Sequence, residues 1–223
     1  MVHSKSPTLK TRKNGLAFVY TLLAAFVIIT AAAVVYPVFK YAMMSPQDHL
    51  RAGLSAYQLK DYKSAGRHLK AASQQNDAAA FFILGSMQLT GQGMPKDAKN
   101  AAVNFEKSAN LGYRHGQYMI ALLYDRGEGV IENKQKALNW ALLAAAQGDR
   151  EATYASAVWL ERGYSGKSEP FLAVSLYEKA AEQGHVNAMK SLISIYGGDA
   201  GVPKNKERAE YWMNKLQETV QKD

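Results

Sequence analysis

A few residues of this 223-residue chain could in principle do chemistry. Gly91-Gln92-Gly93 and Gly127-Glu128-Gly129 have the outline of phosphate loops, in which backbone N–H groups cradle oxyanions. A dinucleotide loop needs a preceding strand and a third glycine, and a P-loop needs Gly-Lys-Ser/Thr; neither occurs here, so these glycines read as turns. His49, His68, His115 and His185 stand isolated, without His-x-x-x-His spacing or clustered carboxylates. Gly163-Tyr164-Ser165-Gly166 is one residue short of a nucleophile elbow, and no Ser-x-x-Lys occurs. Glu128 and Glu132 flank a turn and read as solvated. The chain has no cysteine, which removes disulfides, thiol catalysis and cysteine-ligated metal together. The expectation is a protein that is not an enzyme, with no catalytic residue, cofactor or metal.

A binding surface fits the residues better. Phe82, Tyr118 and Tyr154 lie 36 residues apart, and Arg126 and Arg162 share a second phase of the same period. Aromatic and arginine side chains in a row could anchor an extended or helical peptide, as they do at interface hot spots. A row of this kind requires elements that repeat every 36 residues, and the glycine turns supply the punctuation. Gly91-x-Gly93, Gly127-x-Gly129, Gly163-x-x-Gly166 and Gly201 mark four turns at that step. Alanine-rich blocks lie between them. First helices are expected at 78–90, 114–126, 150–162 and 186–196, and second helices at 98–111, 134–147, 170–183 and 205–221. Gly112, Gly148 and Gly184 suit left-handed caps at the ends of three second helices. A shorter hairpin, 46–59 and 62–74, precedes them, opened by Ser45-Pro46. Ala65, Ala101, Ala137, Ala173 and Ala209 form an unbroken column, and small side chains at one phase mark seams where helices pack closely.

Residues 1–14 are polar and basic, and from Gly15 to Phe39 no charge appears. The apolar run Leu16–Tyr36 would be roughly 31 Å long as a helix, enough to cross a bilayer core of about 30 Å. Tyr20 and Tyr36 would sit near the two interfaces, and Pro37 would end the helix. The basic residues precede the span, which places residues 1–14 in the cytoplasm and the rest on the far side. The competing reading is a cleaved signal peptide with Ala31-Ala32-Ala33 at its cleavage site. The length of the run, and its continuation through Val34, Val35 and Tyr36, favour an uncleaved anchor. Residues 1–40 carry five basic residues and no acid, so 22 basic and 19 acidic residues remain in 41–223. That near balance argues against nucleic acid as a partner.

The residues from Ala80 through Leu84-Gly85, Gly91-Gln92-Gly93-Met94-Pro95-Lys96-Asp97, Ala101 and Lys107-Ser108-Ala109 resemble the Sel-one-like repeat, a relative of the tetratricopeptide repeat. The pattern recurs at Gly127-Glu128-Gly129-Val130 with Ala137 and Trp140, and at Tyr177 through Gly184. The third unit departs from it, with Ser165 at the second turn glycine and Glu169-Pro170 opening its second helix. The resemblance implies an all-α, right-handed solenoid of about five antiparallel helix pairs. The expected layout is a basic tail (1–14), a transmembrane helix (15–37), a linker (38–45), a tetratricopeptide-like unit (46–76) and Sel-one-like repeats with a capping helix (77–223). It further implies a curved scaffold whose concave face, lined by first helices, takes a protein or peptide partner. With the anchor, this gives a single-pass inner-membrane protein with an exported interaction domain in an envelope or secretion-related assembly. The alternatives are a secreted factor that binds a host protein after cleavage, and an envelope hydrolase of the kind linked to cysteine-rich relatives, whose cysteine pairs this chain lacks.

Overall fold

The computed structural model describes residues 9–198 and 201–221, with side chains described for Leu23 and from Phe26 onward within the first helix. The chain divides into two units, residues 1–45 and 46–223. The first unit is built around one helix, α1 (Leu9–Ala42), 34 residues long. Its described apolar side chains are exposed all round: Phe26, Ile28, Val34, Tyr36 and Phe39 are each at least 60% accessible. Thr30 satisfies its hydroxyl within the helix by donating to the Phe26 and Val27 carbonyls at 2.9 and 3.0 Å. The expected stop at Pro37 does not occur. The helix continues through the proline to Ala42 and takes in residues 38–42 of the expected linker. A proline nitrogen forfeits a single i→i−4 bond, here to the Ala33 carbonyl, and a long helix absorbs that loss. Among the described residues no single helix is long and apolar enough to cross a membrane. Much of the apolar run, Leu16–Leu22 and Ala24–Ala25, lies outside the described side chains.

The second unit is five antiparallel hairpins with no strand among the described residues. They are α2 (Pro46–Gln58) with α3 (Tyr62–Ser73), α4 (Ala78–Thr90) with α5 (Ala98–Asn110), and α6 (Arg114–Arg126) with α7 (Lys134–Ala146). Then follow α8 (Arg150–Glu161) with α9 (Pro170–Glu182), and α10 (Val186–Gly197) with α11 (Lys206–Val220). Each helix packs on its hairpin partner, and each second helix packs on the first helix of the next unit.

Two local devices set the boundaries. Every second helix opens at an N-cap on the 36-residue step: Asp61, Asp97, Asn133, Glu169 and Asn205. Four of the five accept the N–H three residues on, at 2.8–3.1 Å, which satisfies a donor the helix leaves orphaned. From Asp97 onward the cap's own N–H also crosses the glycine turn to a carbonyl of the preceding first helix. These bonds run Asp97 to Gln88, Asn133 to Tyr124, Glu169 to Leu160 and Asn205 to Tyr196, all at 2.8–3.0 Å. The third turn keeps that bond although its sequence differs.

The reason for the difference is steric. Gly93 and Gly129 have φ of 71° and 73° and sit against the start of the preceding second helix. A Cβ on Gly129 would overlap the Ala98 carbonyl and lie 2.9 Å from the Lys99 nitrogen. Ser165 could not take that place. In its turn Tyr164 fills the junction, stacked on Trp159 at 5.5 Å and donating to Asp125 at 2.8 Å. Lys134 closes the cluster with bonds to Asp125 at 3.1 Å and Glu132 at 3.2 Å. Partial burial works against the lysine's charge, but its bonds to Asp125, Glu132 and Tyr164 outweigh this and raise its pKa.

The core follows the columns. Ala65, Ala101, Ala137, Ala173 and Ala209 are all buried, against Leu69, Phe105, Ile120, Leu138, Tyr177 and Leu192. In the third unit Ser156 stands where its neighbours carry Leu84, Ile120 and Leu192, and Trp159 stands where they carry Met87, Leu123 and Ile195.

Candidate functional site: the face of the first helices

Tyr118 on α6 and Tyr154 on α8 occupy matching half-buried positions, with Phe82 at the same phase of α4. Phe82 is the most internal in its contacts. Its ring meets Phe105, Tyr113 and His115 at 5.4–6.0 Å between centroids, so packing accounts for most of it. Tyr154 stacks on His185 at 4.2 Å and 20°, and its other side meets Tyr177 at 5.7 Å. Burial raises the Tyr118 phenol pKa, and the nearby carboxylates of Glu151 and Asp149 raise it further. Arg126 ends α6 and Arg162 caps α8. Both are exposed, eight positions beyond Tyr118 and Tyr154, a little over two turns on and about 80° further round the helix.

The histidines that look isolated in sequence are paired in space. His115 Nδ1 lies 3.3 Å from Asp149 and His185 Nε2 lies 3.1 Å from Glu151, so two imidazole–carboxylate pairs join α6 to α8 and α8 to α10. His185 also caps α10, accepting the Ala188 N–H on Nδ1 at 3.2 Å. With Nδ1 accepting from the cap, Nε2 is the ring nitrogen turned to Glu151. Asp149 caps α8 in the same way, through the Ala152 N–H at 2.9 Å. In the first hairpin, His49 and His68 meet Nδ1 to Nδ1 at 3.0 Å. The signal for the caps is periodicity: Asp77, Asp149 and His185 lie on the 36-residue step, with Tyr113 between them. The pairing of His68 with His49 has no such signal.

The face therefore has three bands along the first helices. Imidazoles and carboxylates lie at the N-terminal ends, half-buried tyrosines in the middle and exposed arginines at the C-terminal ends. Such a surface can hydrogen-bond and stack. Among the described residues no three metal-ligating side chains come together.

The pattern of the Sel1 repeat matches residues 78–113, 114–149, 150–185 and 194–216, more than half of the chain. The chain belongs to the Sel1 repeat family. Its repeats are 30% identical over 168 residues to cytochrome c oxidase assembly factor 7 of Xenopus tropicalis, across 71% of this chain and 72% of that protein. A protective antigen of uropathogenic Escherichia coli with an SLR fold superposes with a TM-score of 0.73 and 29% identity. The match covers 78% of this chain and 38% of that longer protein. A Sel1 repeat protein from Oxalobacter formigenes gives 0.67 and 28%, across 78% of this chain and 73% of its own. Sel1 repeats mediate protein–protein interaction and are a scaffold without a shared catalytic set.

Proposed function

We propose that this Sel1 repeat protein is a membrane-anchored scaffold whose first-helix face holds a segment of a partner protein. The observation that carries the reading is the recurrence, at one 36-residue step along the first helices, of half-buried Tyr118 and Tyr154 each followed by exposed Arg126 and Arg162. The half-buried rings offer rigid area that loses little entropy on binding, and the arginines offer bidentate recognition of carboxylates. A partner strand or helix with acidic residues facing the arginines and apolar residues over the tyrosines fits this order. Direct approach of α4 to α6 supports an inward-curving face of first helices, because successive elements crowd on the inner side of a superhelix.

The anchor is α1. Its uncharged run from Gly15 to Phe39, basic flank and all-round apolar exposure support a single pass through the inner membrane, with the N-terminus cytoplasmic and the repeats periplasmic. An envelope or secretion-related assembly is the setting this topology suits. Because the chain lacks cysteine, single cysteines at Ser4 and Ser194 test the topology in intact cells. Labelling of Ser194→Cys, but not Ser4→Cys, by a membrane-impermeant maleimide is expected. The reverse pattern would overturn the orientation, and release of an N-terminally shortened chain would overturn the anchor.

A further inference from the structure

Charge on the second helices is graded along the chain. In α3, Lys63, Arg67 and Lys70 are all exposed and lie within about 60° of arc round the helix. Ala65, Leu69 and Ala72, on the opposite side, are buried in the core. No acid interrupts the stripe, and no ion pair holds Lys63 or Lys70 among the described residues. Asp61, which caps the helix, is engaged by the Ser64 N–H at 3.1 Å. The three matching positions carry one base and one acid in α5 (Lys99, Glu106), no charge in α7, and one acid each in α9 (Glu178) and α11 (Glu207). The net charge of this column therefore runs from +3 in the first hairpin through zero to −1 in the last two.

We propose that the α3 stripe docks on anionic phospholipid headgroups around the anchor. The proposal rests on the reading of α1 as a membrane span. Residues 43–45 alone separate α1 from α2, so the Cα atoms of Ala42 and Pro46 are at most about 14 Å apart. Within the hairpin, the 3.0 Å contact of His49 with His68 sets the later half of α3 beside the first turn of α2. Arg67 and Lys70 stand next to His68 in that half, about one helix diameter, roughly 10 Å, from the tether. A tether this short presents the headgroups at high effective concentration, so modest contacts suffice. Each basic residue near an anionic surface shifts the balance toward that surface by about fivefold, and three shift it by about a hundredfold. The attraction reaches about 10 Å at ordinary salt, so it acts on charges held close to the bilayer. An acidic protein segment could meet any of the five hairpins. A basic column confined to the hairpin that follows the anchor fits a charged surface at that anchor.

The absence of cysteine allows one donor dye on a Gln74→Cys variant of the full-length chain; Gln74 is exposed on the same stripe, one turn beyond Lys70. The chain is reconstituted into vesicles of phosphatidylcholine, or of phosphatidylcholine and phosphatidylglycerol in equal parts, each with a rhodamine-headgroup lipid as acceptor. Energy transfer is expected to be higher in the anionic vesicles and to fall to the neutral level in about 1 M salt, where screening shortens the reach to about 3 Å. Adding Lys63→Gln, Arg67→Gln and Lys70→Gln together should lower the ratio of docked to undocked chain by about a hundredfold and bring transfer to the neutral level in low salt as well. Melting of this variant checks its fold, and the comparison of lipids and salts needs no variant. Retention of the chain in neutral vesicles through a carbonate wash tests the anchor separately; a chain lost there would remove the anchor and this inference with it. A retained chain with equal transfer in both vesicles would overturn the inference alone, as would a folded variant that transfers like the parent. Equal transfer together with a protein crosslinked in native membranes by the parent, and not by the variant, would assign the stripe to an acidic protein segment instead.

Discussion

Ser108 and Gly116 form a compensating pair that can be tested by a double-mutant cycle. Where one unit meets the next, a residue near the end of a second helix faces one eight positions on, in the following first helix. The pairs are Ala72 with Ala80, Ser108 with Gly116, Ala144 with Ala152, and Ala180 with Ala188. Only one pair is not alanine on alanine. Ser108 is fully buried and donates to the Ala78 carbonyl at 2.7 Å. A Cβ on Gly116 would lie 2.7 Å from the Ser108 Cβ and closer still to its hydroxyl. Gly116→Ala gains about 1 kcal/mol of helix propensity and loses about 1–3 kcal/mol to overpacking, so a net loss is expected. Ser108→Ala loses about 1 kcal/mol with its hydrogen bond. The double variant has the residue types of the Ala144–Ala152 seam, removes the closest contact, that with the hydroxyl, and keeps the propensity gain, while the 2.7 Å Cβ–Cβ approach remains to be relieved by a small shift of the seam. Its stability should exceed the sum of the single effects by about 1–3 kcal/mol, or about 2–4 °C of Tm per kcal/mol. Urea and thermal unfolding of the four chains measure the coupling. Additivity within about 0.5 kcal/mol would refute the argument that the glycine exists to admit the serine.

The two kinds of glycine should differ under substitution. Gly148→Ala, with φ of 82° and nothing within 4 Å of the added methyl, should cost about 1 kcal/mol; Gly129→Ala, which also meets the Ala98 and Lys99 backbone, should cost about 3 kcal/mol or more. Equal melting temperatures would refute the close approach at Gly129. The Ser156 hydroxyl is buried without a hydrogen-bond partner, so Ser156→Ala should stabilise the fold by about 1 kcal/mol; a fall in urea midpoint would contradict this. Burial first, then His49 and Arg67, lower the His68 pKa below its ordinary value. The unfolded chain then takes the proton first, so this stability is whole above about pH 6.5 and is lost as pH falls through the folded pKa. His68→Gln should flatten the decline in unfolding midpoint between about pH 7.5 and 5; an unchanged slope would count against it.

Element type and boundary were legible because one period governs them. The turns at Gly91, Gly127 and Gly163 and the alanine column fix the helices to within about two residues, since an alanine seam tolerates no other register. The caps at Asp97, Asn133 and Asn205 follow the same step and are legible once the columns are written out. The third turn was not, because Ser165 shows only that a glycine is missing. That Tyr164, Trp159, Asp125 and Lys134 fill the gap depends on contacts between residues up to 39 positions apart. The histidine pairs stayed hidden for the same reason. Pro37 misled because its usual effect as a helix breaker does not hold in a long apolar helix. At the candidate site the phases of Tyr118, Tyr154, Arg126 and Arg162 were readable, whereas the stacking of Tyr154 on His185 and the internal packing of Phe82 were not.

The central claim is that the first-helix face holds a partner, and capture from native membranes tests it most directly. The full-length chain is crosslinked in its own membrane and purified, and retained proteins are identified beside those retained by an Arg126→Glu/Arg162→Glu chain. Both arginines are exposed, so the variant should melt like the parent. The account predicts one specific protein, recovered with the parent chain and reduced at least about tenfold with the variant. Equal recovery with both chains, at equal stability, would contradict it.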